Sequence, residues 1–403
     1  MALNQTGIQT GAATAKAFIR LAGGRAWARR MADFGETASA GPHVRRALVQ
    51  RHGLELILDR MARSPDRPPN AAKQRVLALA RETVSAFASL AAEGKERLRS
   101  VLHACLSEER TLIPLFHLMR TAARHRARGF TVTFSAFAEG TAFDLLLARD
   151  GMEAEVACDV VSAEDGRDVH RGAWVRLMDR VDPDLQTWLA AHPGRYLLKL
   201  TLPLGLRSGD GHQNLLATLH GRIRGMLAEQ RRADHDEAAV LRLDPLMLAG
   251  AQAGELGLLN SLRREFGHEA HLAVTEAGRA VFVMAARAGR ENEVAVAIRR
   301  RMAAVAPGRL SGKRPGILAM FVEDTDRAEW RHLRERMELE GEARQFLTFP
   351  EARSVVAVTC ASRMELLGAL APDAASDGEL RFRNPAHPAA KAAALAPAVL
   401  SSL

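Results

Sequence analysis

Acidic residues stand inside two neighbouring apolar segments of the chain, and this feature restricts the fold more than any other. Asp144 lies within Ala142–Ala148 (AFDLLLA), and Glu155 and Asp159 lie within Met152–Val161 (MEAEVACDVV). Both segments have the composition of β-strands, and the RDG sequence between them is typical of a tight turn. Because burying an unpaired carboxylate is costly, the sequence predicts a β-hairpin whose acids meet a cation.

The alternation of side chains along a strand groups the acids of the second segment. Glu153, Glu155 and Asp159 fall on one face of the strand, together with Ala157. One acid from the first strand and acids at even spacing on the second can converge on a hard cation, as phosphodiester cleavage requires. Asp144, Glu155 and Asp159 are therefore the candidate cation ligands.

The segment Glu139–Trp174 resembles the metal-binding hairpin of the PD-(D/E)XK nuclease superfamily, which has the restriction-endonuclease-like fold. In that family an Asp on one strand is followed on the next strand by Glu-x-Lys, then by a polar loop and a helix. Asp144 matches the Asp. Ala157-Cys158-Asp159 stands where Glu-x-Lys is expected, and the shifted register Glu155-Val156-Ala157 restores the acid but not the Lys.

Three interpretations follow from this degenerate motif. The domain is retained as an inactive module for nucleic-acid contact or for scaffolding, or the resemblance is accidental and Asp144 pairs with an Arg. The third interpretation is an active Mg²⁺-dependent nuclease that keeps Asp144, Glu155 and Asp159 and takes its cation from elsewhere. The resemblance permits such a relocation, and the candidate cations are Lys199, Arg167, His170 and Arg171.

The basic segment after the hairpin has two interpretations of its own. If Asp168 caps the following helix, Arg167, His170 and Arg171 lie near its first turn, where side chains and backbone amides suit phosphate groups. In the alternative, an Arg of this segment pairs with Glu164 or Asp165 at a solvated helix start.

The net charge of the chain is compatible with a polyanionic partner. It is +9, and the pI is about 10.2. This favours DNA or RNA as a partner, although only six of the 56 basic residues are Lys, which is also the pattern of an Arg-rich coding background. A single Tyr and 5% aromatic residues argue against a base-stacking platform. The sequence identifies no protein partner.

Periodicity divides the chain into four parts and predicts a mixed α/β fold. We expect a helical region over 1–126, a nuclease-like α/β core over 127–245, a C-terminal α/β extension over 246–365, and a frayed Ala/Pro-rich tail over 366–403. Local patterns predict a strand over Phe130–Phe137 and a helix over Arg327–Glu342.

The cellular compartment is predicted from cysteines and hydropathy. Three cysteines far apart in sequence are no disulfide framework, and no apolar run has the length of a membrane span. We therefore expect a cytoplasmic protein without a membrane partner.

Overall fold

A computed structural model describes residues 2–63, 69–107, 110–207, 213–246, 261–263, 266–267 and 270–402. Over these residues the predicted helical beginning of the chain is confirmed, and the first strand starts at Thr131. Apolar residues at helical spacing, such as Phe18 and Phe116, turn towards a common core. The helices are α1 (Ala2–Ala22), α2 (Gly24–Ala38), α3 (Pro42–Arg51), α4 (Gly53–Arg63), α5 (Ala71–Ser89), α6 (Ala92–Cys105) and α7 (Ile113–Ala127).

Strands and helices then alternate, as the mixed α/β prediction requires. The middle of the chain forms β1 (Thr131–Thr133), α8 (Ser135–Ala138), β2 (Leu145–Arg149), β3 (Met152–Ser162), α9 (Arg171–Ala191), β4 (Arg195–Leu202), α10 (Gln213–Ala228), β5 (Ala233–His235) and β6 (Val240–Pro245).

The last third of the chain continues the alternation. It forms β7 (His271–Ala277), β8 (Ala280–Ala288), α11 (Val294–Arg309), β9 (Gly316–Glu323), α12 (Arg327–Glu335), α13 (Glu338–Phe346), β10 (Val355–Ser362), α14 (Arg363–Leu367), β11 (Leu380–Arg383) and α15 (Ala396–Val399).

These elements form two compact units, and each is assembled from separate stretches of sequence. The first unit comprises residues 1–34, 49–163 and 295–403, and the second comprises 35–48 and 164–294. The predicted parts, 1–126, 127–245, 246–365 and 366–403, follow one another along the chain. The compact units instead interleave, because the chain leaves the first unit after β3 and returns to it at α11.

The first unit contains a six-stranded sheet in the order β1-β2-β3-β9-β10-β11. β3, β9 and β10 run parallel, while the strands on either side of them pair antiparallel. The N-terminal helices pack on one face of this sheet through a continuous core that includes Phe18, Phe116, Val156 and Phe321.

The second unit contains a five-stranded sheet in the order β5-β6-β4-β8-β7. β4 and β8 are parallel, and the other pairs are antiparallel. α9 and α10 cover one face, with Trp174, Leu219 and Phe282 in the core. The predicted core over 127–245 is therefore shared between two sheets, since β3 pairs with β9 and not with β4.

Two local predictions were wrong in part. The strand predicted over Phe130–Phe137 ends at Thr133, because Phe134 and Phe137 are both buried and their three-residue spacing fits a helical turn. The helix predicted over Arg327–Glu342 is interrupted by Met337, whose φ of 55° is left-handed and starts α13 afresh.

The prediction of a frayed tail was also wrong. β11 pairs with β10, and Phe382, Leu395 and Val399 are buried in the first unit. Ala and Pro in this stretch form short helices that pack against the core of the first unit. A composition typical of disorder therefore belongs to an ordered segment. In the described part of the chain, no helix combines the length and apolar character needed to cross a membrane.

Candidate functional site

The predicted hairpin is present and consists of β2 and β3. Leu145 pairs with Val156, and the backbone N–H of Asp144 donates to the carbonyl of Val156 just before β2 begins. The alternation along β3 is also confirmed in part. Ala154 and Val156 enter the core beneath the N-terminal helices, whereas the carboxylates contact α11 and the loop that follows it.

Asp144 is held by a guanidinium group. Its carboxylate lies 2.6 Å from Nη2 of Arg309, at the end of α11, and accepts a hydrogen bond of 2.6 Å from the backbone N–H of Cys158. Burial raises the pKa of Asp144 to about 6, although Arg309 and the Cys158 amide both act to lower it. Asp144 therefore lies just before β2, not inside a strand over Ala142–Ala148 as predicted, and a cation compensates its charge, as the accidental-resemblance interpretation expects.

The other hairpin acids are paired in the same way. Asp159 receives two hydrogen bonds from Arg301, at 2.5 and 3.0 Å. Glu155 is fully buried and accepts from the backbone N–H and the hydroxyl of Ser311, at 2.8 and 2.5 Å. We call these contacts, together with those of Arg314 to Glu153 and Glu155 at 2.7 and 3.5 Å, the hairpin ion-pair network.

The hairpin ion-pair network does not suit a magnesium ion. Both carboxylate oxygens of Asp159 and of Glu155 are taken by protein donors, and a cation would have to displace Arg301 or Ser311. Among the described residues, no group of three or more His, Cys, Asp or Glu side chains is placed to hold a metal ion. Mg²⁺ binding by Asp144, Glu155 and Asp159 stays a prediction that these contacts do not favour.

The predicted replacement cation lies in the other unit. Lys199 is on β4, where its ammonium group is 3.4 Å from Asp244 and 5.3 Å from the ring centre of Phe266. Lys199 therefore has an acidic partner within its own sheet, which is not the sheet that contains β2 and β3.

The basic segment after the hairpin also belongs to the second unit. Arg167 pairs with Glu164 at 2.6 Å, as the solvated-start interpretation expects, but the side chain of Arg167 is buried and not solvated. The backbone N–H of Arg171 donates to the other oxygen of Glu164 at 2.8 Å. Asp168 does not cap α9, which begins after His170, and pairs instead with Arg207 at 2.8 Å.

His170 is an unfavourable position for a positive charge. Burial lowers its pKa, and Arg207 and Arg167 lower it further. Phosphate contact through Arg167, His170 and Arg171 stays a prediction.

A second polar cluster lies where the three parallel strands of the first unit end. Carboxyl ends of parallel strands meet at one edge of a sheet, which is where open α/β sheets bind ligands. Ser162 ends β3 and donates to Asp324 at 2.7 Å, while Arg51 lies 3.0 Å from the other oxygen of Asp324. Thr111 donates to Glu323, the last residue of β9, at 3.0 Å. We call these five residues the carboxyl-edge cluster.

The carboxyl-edge cluster contains a group that titrates near neutral pH. Burial, together with the neighbouring carboxylate of Asp324, raises the pKa of Glu323 to about 7. Asp324 adopts a left-handed backbone with a φ of 61°, which is uncommon for a residue other than glycine. A carboxyl group of this pKa can donate or accept a proton at physiological pH.

Local sequence explains only one of the acids at this edge. In the run Glu323-Asp324-Thr325-Asp326, helix capping is the expected role, and Asp326 does cap α12 by accepting from the Glu329 amide at 2.9 Å. The run does not indicate that Thr111 and Ser162, which are distant in the sequence, contact Glu323 and Asp324. That convergence depends on the parallel pairing of β3 with β9.

Comparisons with known proteins identify no relative. No protein-family model, no curated protein and no solved structure matches the chain.

Proposed function

We propose that the protein contacts nucleic acid through its first unit and that its nuclease-like hairpin is structural and non-catalytic. The observation that carries this proposal is the distribution of charge. The first unit has 37 Lys and Arg residues against 28 Asp and Glu, whereas the second has 19 of each, so the whole net charge of +9 falls on the first. A polyanion is attracted to a surface of that sign.

Part of this charge is free to meet a ligand. Lys16, Arg20, Arg25 and Arg29 are all exposed, and among the residues that the structure describes none of them has a side-chain hydrogen bond or ion pair. Each pair is spaced by four residues on one helix, α1 or α2, so its members lie on the same side of that helix. We call these four residues the N-terminal basic surface.

The hairpin ion-pair network supports a non-catalytic role. An attacking water needs a metal or a free base, and the carboxylates that would supply either are paired with Arg309, Arg301 and Arg314. An active Mg²⁺-dependent nuclease that relies on Lys199 has the least support, because that ammonium group is paired with Asp244 in the second unit.

The experiment measures binding of a fluorescent DNA duplex and an RNA duplex over a range of salt concentrations. We expect the logarithm of the binding constant to fall linearly with the logarithm of salt, and a variant with Gln at all four positions of the N-terminal basic surface to bind more weakly with a shallower slope. Each lost phosphate contact reduces the slope by about 0.9 for DNA.

A matched control removes the same charge from the neutral unit. Arg176, Arg224, Arg232 and Arg279 are exposed on the second unit, and their replacement by Gln should leave binding nearly unchanged. Absent or salt-independent binding would refute nucleic-acid contact and leave the alternative, an interaction or scaffold protein with no nucleic-acid partner.

A further inference from the structure

Several arginine side chains surround one buried carboxylate in the first unit, and its single negative charge cannot neutralise all of them. Glu379, just before β11, is only 4% exposed. It lies 3.3 Å from Arg124, 2.7 Å from Arg128 and 3.5 Å from Arg381. Burial alone would raise the pKa of Glu379, but the surrounding arginines hold it at about 2, so its charge is permanent at neutral pH.

The arginines come mostly from one face of one helix. Arg120, Arg124 and Arg128 are spaced by four residues along α7 and its C-terminal end, and we call them the arginine ladder. Nη2 of Arg120 donates to the carbonyl of Gly378, and Nη2 of Arg124 donates to the carbonyl of Asp377. These carbonyls are neutral acceptors and do not cancel the guanidinium charges.

The local charge balance is therefore positive. The arginine ladder and Arg381 bring four positive charges. Three carboxylates oppose them, those of Glu379 and Asp377, which both contact Arg381, and that of the buried Glu365, whose charge acts on Arg120. His125 adds no charge, since burial lowers its pKa to about 4. Burial likewise lowers the pKa of Arg120, to about 10. An excess of about one positive charge stays uncompensated in a largely buried place, which is costly without a counter-ion.

Two hydrogen-bond donors of the arginine ladder also lack an acceptor among the described residues. Nη1 of Arg120 and Nη1 of Arg128 are buried and have no hydrogen-bond partner among the described residues. Arg120 as a whole is 8% exposed. Guanidinium donors in such a position are satisfied best by an anion with several acceptor oxygens.

We propose that Arg120 and Arg128 of the arginine ladder, beside Glu379, bind a tetrahedral oxyanion of the phosphate class. The excess charge supplies the attraction, and the two free Nη1 groups supply directed donors. The phosphate group can be a free ion or part of a nucleic-acid backbone, and this inference does not rest on the proposed function.

The test titrates inorganic phosphate into the full-length protein in a calorimeter, at low millimolar concentration and constant ionic strength. We expect saturable binding by the wild type and an affinity lowered at least about tenfold in Arg128→Met, because one charge and one free donor are lost. The control is Arg126→Met on the same helix, which removes an arginine that pairs with Glu82 outside the ladder, and it should bind phosphate like the wild type.

If Arg128→Met is too unstable for calorimetric titration, thermal unfolding with and without phosphate tests the same proposal. Phosphate should raise the thermal midpoint of the wild type and of Arg126→Met, and should raise that of Arg128→Met much less. Absence of phosphate binding by the wild type, or equal phosphate dependence in the two variants, would overturn the proposal.

Two arms identify the source of the phosphate group, and both presuppose that the wild type binds inorganic phosphate. If Arg128→Met weakens duplex binding and phosphate competes with the duplex, the ligand is a backbone phosphate. If duplex binding is the same in Arg128→Met and the wild type, the ligand is a free anion. The four-Gln variant of the N-terminal basic surface should still bind inorganic phosphate, which separates failure of this proposal from failure of nucleic-acid contact.

Discussion

At the scale of single residues, the Asp144–Arg309 ion pair tests whether the hairpin carboxylates stabilise the fold. Arg309→Met leaves the Asp144 carboxylate largely buried without a cation, and we expect a loss of about 2 kcal/mol in unfolding free energy at pH 7.5. This is below the 3–5 kcal/mol typical of fully buried pairs, because Arg309 keeps 30% of its side-chain exposure. Urea unfolding measures the change.

The matched variant is the double substitution Arg309→Met with Asp144→Asn. The double variant no longer has the unpaired negative charge of Asp144, so we expect it to be more stable than Arg309→Met alone at pH 7.5. If the double variant loses the sum of both single effects, the two side chains act independently and the ion pair does not stabilise the hairpin.

Glu323 gives a prediction about pH. Its pKa is about 7 in the folded protein, against 4.5 as the ordinary value, so the folded state binds the additional proton between these limits. Its contribution to stability is therefore present below about pH 4.5 and is lost as the pH rises through 7, by on the order of 3 kcal/mol. Glu323→Gln removes this dependence and should be more stable than the wild type at pH 8.

Urea midpoints of the wild type and Glu323→Gln at pH 5 and pH 8 check this expectation. The difference between the two proteins should change in favour of the variant at the higher pH. A difference that does not change with pH would mean that Glu323 titrates normally.

At the scale of elements, the Ala/Pro-rich stretch 366–403 was predicted to be frayed from its composition, but it packs in the first unit. Leu395 is fully buried in the core of the first unit, whereas Leu400 is 48% exposed. We expect Leu395→Ala to cost about 2–5 kcal/mol of unfolding free energy and Leu400→Ala to cost about 0.5 kcal/mol or less. Denaturant unfolding measures both, and two equally small effects would restore the interpretation of a frayed tail.

Most single elements were predictable because their signal is local. The alternation in Met152–Val161 and the RDG turn predict the hairpin, and β3 extends that strand only to Ser162. Element ends were less predictable, since they depend on contacts with the rest of the unit. Phe134 and Phe137 end β1 by turning towards a core that is built largely from distant helices.

At the scale of the whole molecule, the pairing of β3 with β9 could not be predicted from sequence. It pairs Glu155 with Gly316, and residues 164–294 of the second unit lie between these two in the sequence. Local periodicity carries no information about a partner so distant. The same pairing brings Arg301, Arg309 and Arg314 to the hairpin acids. The sequence offered Lys199, Arg167, His170 and Arg171 only as replacements for a catalytic lysine. It did not identify which Arg would pair with Asp144, and nothing in it indicated α11.

The interleaved units also separate the hairpin from the helix and strand that follow it in the sequence. After β3 the chain crosses into another unit, and the next strand, β4, belongs to a different sheet. The two parallel neighbours in the middle of the first sheet come from residues 316–323 and 355–362. The carboxyl-edge cluster, and the contact of the arginine ladder with Glu379, arise from this long-range assembly.

The central claim is that paired carboxylates make the hairpin structural, and a cleavage assay tests it most directly. Supercoiled plasmid is incubated with Mg²⁺ or Mn²⁺ and with the wild type, Asp144→Ala or Glu155→Gln. We predict no metal-dependent nicking by the wild type or by either variant, while both variants lose stability. Metal-dependent cleavage by the wild type that disappears in Asp144→Ala would contradict the claim and restore a catalytic hairpin.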